Sequence, residues 1–133
     1  MDSGSSGIPQ LRKLGILPGA RWRVDGAPAG WRFETPPDGS LEAAPDSPAD
    51  VVVAFVTSAA QIPPTLERLE PTVFPAGALW VAWPRKAAGH VSDITDNVVR
   101  EAALTRSLVD TKVAAIDPDW SGLKLVWRVE ARR

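Results

Sequence analysis

The sequence predicts one α/β domain: a small parallel sheet that closes with an antiparallel C-terminal hairpin. Three observations carry this. The run "DVVVAFV" (50–56) is apolar at consecutive positions and rich in β-branched residues, as a central strand covered on both faces must be. "ALWVAW" (78–83) repeats that pattern after a segment of helical spacing. "LKLVWRVEA" (123–131) alternates apolar and polar residues just after the turn sequence "DPDWSG". A chain of 133 residues, 44% apolar and 23% charged, suits a single domain with its own core.

The opening residues 1–7, "MDSGSSG", are small and polar, and are expected to be a flexible linker or tag remnant; residues 8–133 form the domain. "IPQLRKLG" sets Ile8, Leu11 and Leu14 at helical spacing, with Pro9 tolerated in the first turn and Gly15 suited to a left-handed cap. "RWRVD" (21–25) alternates as a short strand, and "GAPAG" (26–30) turns the chain. Residues 31–49 are proline-rich and without periodicity, with at most a brief strand at "SLEAA". Ile62, Leu66 and Leu69 share one helical face, with Pro63 and Pro64 at its start and Pro71 expected to end it. From Thr95, Val98, Val99, Ala102 and Ala103 line one side of a second helix, and Asp96 lies where the helix dipole favours a carboxylate. "VDTKVAAID" is the next strand, and Leu123, Leu125, Trp127 and Val129 are expected to face one way along the last.

Composition removes several functions. Net charge is −1, so nothing global favours nucleic acid or anionic membrane. "RWR", with Trp31 and Arg32, is a weak hint of base stacking without an excess of positive charge behind it. The absence of cysteine rules out disulfides, thiolate metal sites and a cysteine nucleophile, and a single histidine cannot build a histidine-rich metal centre. No apolar run approaches the ~20 residues of a membrane span, which gives a cytoplasmic expectation. Six tryptophans are many for this length and leave a homodimer open as a structural reading.

The blocks "LGI-x-PG", "DVVVAFVTS", "GALWVAWPRK" and "WSGLKLV" resemble a bacterial family of short proteins of unknown function across most of residues 11–130. More distantly, "LGILPGARWRVDGAPAG" and "FPAGALWVAWP" resemble the first and fifth strand regions of class I methyltransferases. That second resemblance implies a Rossmann-like core abbreviated in its middle, with Gly26, Pro28 and Gly30 standing where a glycine loop would hold S-adenosylmethionine. The departures are physical. Pro28 has no N–H and places a ring in the cradle, and Asp25 abuts Gly26. Residues 31–49 are too few for two crossovers of ~10–12 residues each. S-adenosylmethionine is therefore expected to bind weakly or not at all, and no catalytic residue is assigned.

Ligands of open α/β sheets lie at the carboxyl ends of the strands. There the topology would gather Thr57, Ser58, Trp83, Arg85, Lys86, Trp120 and Ser121. Arg grips a carboxylate or phosphate with two hydrogen bonds, Lys adds charge, and an indole supports a planar ring. The expectation is a small anionic or nucleotide-like ligand, or a protein partner, at this rim. A core and wet-loop reading of the same residues stays open, since buried aromatics are more often packing than sites. His90 has no acidic or hydroxyl partner at a motif spacing, and Asp117 and Asp119 read as turn formers.

Overall fold

A computed structural model describes residues 8–132; the proposed linker 1–7 lies outside the described residues. A six-stranded sheet runs in the order β2-β1-β3-β4-β6-β5. Its strands are β1 (Arg21–Asp25), β2 (Leu41–Glu42), β3 (Val51–Phe55), β4 (Ala78–Pro84), β5 (Leu108–Asp117) and β6 (Trp120–Trp127). The pairs β1–β2, β1–β3 and β3–β4 are parallel. The pairs β4–β6 and β5–β6 are antiparallel. The mixed α/β architecture, mostly parallel with an antiparallel C-terminal hairpin, is the one the hydrophobic pattern predicts. In particular, Val52 pairs with Leu79 and Val53 with Trp80 in a parallel register.

Every residue of β3 is buried, and so is all of β4 up to Trp83. Each fully buried valine or leucine there contributes roughly 1.5–3 kcal/mol by leaving water. One face of the sheet, through Val52, Ala54, Leu79, Val81, Leu123 and Leu125, packs on α2 (Ile62–Leu69) and α3 (Asp96–Leu104). Helix α2 buries Ile62, Leu66 and Leu69, as their spacing requires, and carries Pro63 and Pro64 in its first turn. Helix α3 is capped by Thr95, whose hydroxyl accepts from the Val98 N–H. The opposite face, through Val51, Val53, Phe55, Trp80 and Ile116, packs on Leu14 and Ile16 around α1 (Gln10–Leu14). Gly15 ends α1 at φ +90°, where a side chain would be strained.

One detail departs from the sequence reading, and two refine it. Pro71 follows the end of the helix as expected: α2 stops at Leu69, and the 3-10 turn over Glu70–Val73 that comes next holds Pro71 near its own start, where no N–H is needed. The last strand ends at Trp127, and Val129 stands 67% exposed in a 3-10 turn instead of joining the buried row. Residues 26–40, between β1 and β2, form no helix, as their prolines and lack of periodicity predict. Trp31 and Phe33 pack there directly on the α1 face of the sheet.

Candidate functional site at the carboxyl-end rim

The chain leaves β1 toward β2 on one side, while β3 lies on the other. The crevice outside the carboxyl ends of β1 and β3 is thus the switch point where α/β sheets bind ligands. Aromatic side chains pack beside it. Trp31 meets Phe55 edge-on at 4.9 Å, and Phe55 meets Trp120 at 4.9 Å. The Trp31 indole N–H donates to Asp117 Oδ2 at 2.8 Å, tying the β1–β2 connection to the β5–β6 turn. Gly26 follows β1 at φ +71°, and a Cβ there would stand 2.9 Å from the Phe55 carbonyl oxygen. The glycine thus serves close approach of backbone to backbone. Pro28 and Gly30 are exposed in the same turn, and Trp31 N–H donates to the Pro28 carbonyl at 3.0 Å.

Asp25, at the end of β1, is held on the helical side by both Arg68 guanidinium nitrogens at 3.0 and 2.8 Å. The hydrogen bonds to Asp25 raise the Arg68 pKa above its ordinary value. The Asp25 carboxylate is thus engaged by Arg68.

The remaining rim is built from three turns laced together. After β3, Gln61 Oε1 accepts from the Thr57 and Ser58 N–H groups at 2.6 and 3.1 Å. Asp93 Oδ1 accepts from Ala59 N–H at 2.9 Å, binding the 85–93 segment to this turn. At the other end of that segment Arg85 N–H donates to Asp119 O at 2.9 Å, and Arg85 Nη1 to Pro118 O at 3.1 Å. Asp117 Oδ1 in turn accepts from the Asp119 and Trp120 N–H groups, which is why this Asp-Pro-Asp sequence turns so tightly. Thr57, Ser58, Arg85 and the Trp120 turn are therefore linked through one loop, with Lys86 exposed on it.

Trp83 is placed differently from the rest. It is 6% exposed and packs on the face covered by the helices, whereas Trp120 packs on the opposite face. The reason is strand alternation: Trp83 pairs with Ser121 and Pro84 with Trp120, so the two indoles point to opposite sides of the sheet. They cannot flank one ligand, and Trp83 belongs to the core. The backbone donors of Thr57 and Ser58 are already used by Gln61, which leaves the Arg85 guanidinium and the exposed Lys86 as cationic side chains of this loop.

His90 Nε2 stands 3.0 Å from Asp119 Oδ1, a pairing across 29 positions that sequence spacing could not reveal. The roles of Gln61 and Asp93 were equally hidden, although Gln three residues after Ser58 is a capping-box signature that could have exposed the first. Among the described residues no group of three His, Asp or Glu could hold a metal ion. No helix among them is long and apolar enough to cross a membrane.

No protein-family profile matches the chain, and no curated protein matches it either. Solved structures do share its fold. A protein in the NADB-Rossmann superfamily from Streptococcus agalactiae is 8% identical with a TM-score of 0.54, the match covering 89% of this chain and 67% of that one. LepI in complex with SAM is 10% identical with a TM-score of 0.53, covering 91% of this chain and 47% of its own. At such identities the likeness establishes a Rossmann-like fold and nothing finer.

Proposed function

We propose that this chain is a non-catalytic Rossmann-like domain that binds a small anionic ligand, or an anionic group on a protein partner, at the carboxyl-end rim. The observation that carries the reading is the aromatic cluster at the switch point: Trp31, Phe55 and Trp120 pack edge-on at the carboxyl end of β3, where a cofactor would have to approach. S-adenosylmethionine fits these residues poorly for further reasons. No helix follows the Gly26–Gly30 turn, so no helix N-terminus offers donors to the ligand. Pro28 offers no N–H, and Asp25 is engaged by Arg68. The alternative, a small methyltransferase using that cofactor, has in its favour the fold likeness to LepI with SAM. The block resemblance to a short bacterial family is compatible with either reading.

Rim chemistry supports the anion. Asp93 and Asp117 accept from backbone N–H groups and Asp119 faces His90, while Lys86 projects from the loop without an ion pair among the described residues. Arg85 is held by one carbonyl and keeps further guanidinium donors for a ligand.

Two titrations decide between the readings. Calorimetry with S-adenosylmethionine is expected to give no one-to-one isotherm; a micromolar Kd would overturn the non-catalytic assignment. Pyrophosphate is expected to raise the melting midpoint by mass action, by about 2.7 kcal/mol of apparent stability at a hundredfold excess over Kd. Lys86→Ala should cost under ~0.5 kcal/mol of stability as an exposed substitution. Arg85→Ala should cost about 0.5–1.5 kcal/mol for its hydrogen bond to Pro118. The double variant should lose the pyrophosphate effect. A double variant that keeps it would place the site elsewhere.

A further inference from the structure

We infer a second binding site, beside the rim and sharing Trp31 with its aromatic cluster, in the cavity between β1 and the 31–37 segment, and we assign it to a planar heteroaromatic ligand. The cavity measures about 560 Å3, within the roughly 300–1,000 Å3 of small-ligand pockets. It exists because the β1–β2 connection is extended: a crossover helix would cover this face of β1 evenly, whereas Trp31 and Phe33 cover it only in part. Trp22, Trp31, Phe33 and Pro37 line it, with the exposed Arg32 and Glu34 as its charged groups.

The wall chemistry selects the ligand. Phe33 meets Trp22 at 5.2 Å and 90°, and Trp31 at 5.1 Å and 71°, so the three rings stand as steeply angled panels. A flat ring stacks one face on such a panel and sets its edge against the next, and a guanidinium stacks on the face that remains open. Arg32 and Glu34 oppose each other in charge, so the pocket gives a permanent cation no net electrostatic advantage beyond its aromatic walls. Arg32 donates and Glu34 accepts, matching a ring whose edge carries both acceptors and donors. Trp22 Nε1 is buried without a hydrogen-bond partner among the described residues. An unmade buried donor is costly, and a small rearrangement of the 31–37 segment on binding would give it an acceptor.

Adenine is the probe, read by the indole N–H signals of the six tryptophans in two-dimensional NMR spectra. Saturable shifts are expected at Trp22 and Trp31, with Trp83 and Trp127 unmoved. Arg32→Ala removes a side chain that bonds nothing else among the described residues, so the variant should fold and bind adenine about fivefold more weakly. Lys86→Ala should leave adenine binding unchanged, which separates this site from the rim. Three results would overturn the assignment: no saturable shift with adenine at millimolar concentration, a tetramethylammonium response at Trp22 stronger than that of adenine, or an adenine response centred on Trp120 and lost in Lys86→Ala.

Discussion

Replacing Trp80 with alanine is expected to cost about 3–5 kcal/mol, a large share of the ~5–15 kcal/mol that holds a domain of this size together. Trp80 is 0% exposed in the middle of β4, and three neighbours depend on its shape. Its indole N–H donates to the Leu14 carbonyl at 3.1 Å, tying the end of α1 to the sheet. Gly122, on β6, leaves the room the ring needs: a Cβ there would stand 3.1 Å from Trp80 Cε3 and 2.6 Å from Ile116 Cδ1. Lys112 Nζ lies 5.8 Å from the ring centroid. Alanine would open a cavity that the two antiparallel strands and α1 cannot all collapse into, and would strand the Leu14 carbonyl. Trp80→Phe keeps most of the volume and loses the donor, so about 1–2 kcal/mol is expected. Urea denaturation of the three proteins checks this; an alanine variant within 1 kcal/mol of the parent would mean that β4 does not carry the core.

The two buried runs that define this core were legible because burial on both faces leaves an unmistakable signal, eleven of their residues being fully covered. The hairpin was legible because Asp117 turns the chain with its own side chain, a local event written in adjacent residues. The irregular course of residues 31–40 was legible too, but not its packing. Trp31 and Phe33 pack by tertiary contact alone, without pairing or helical spacing, so nothing periodic announces them. The rim was legible as a convergence of strand ends but not in its wiring. Asp93 reaches Ala59 over 34 positions and Trp31 reaches Asp117 over 86, and such distances have no sequence signature. Trp83 was taken into the site from its place at a strand end, whereas the alternation of β4 against β6 turns it to the helical layer.

Glu70→Ala is the second large effect, expected at about 2–3 kcal/mol, and its cause is electrostatic where that of Trp80 is steric. Glu70 is 7% exposed at the end of α2 and serves three segments at once. Its Oε1 accepts from Arg106 Nε at 2.9 Å and its Oε2 from Ser107 N–H at 3.1 Å, both in the turn between α3 and β5. Its backbone carbonyl accepts from the Trp127 indole at 3.0 Å. The backbone bond survives any substitution, so the loss isolates the carboxylate. Removing it leaves Ser107 N–H without its acceptor and Arg106 without its counter-charge. The Arg106 side chain is 29% exposed, however, so water takes over part of its solvation and the cost falls below the ~3–5 kcal/mol of a fully buried pair. Glu70→Gln keeps one acceptor in place and should recover about half. A double-mutant cycle with Arg106→Ala separates the terms: a coupling of about 1 kcal/mol or more is expected for side chains in direct contact. Coupling near zero, with Glu70→Ala still costly, would assign the loss to Ser107 alone and make Arg106 a bystander.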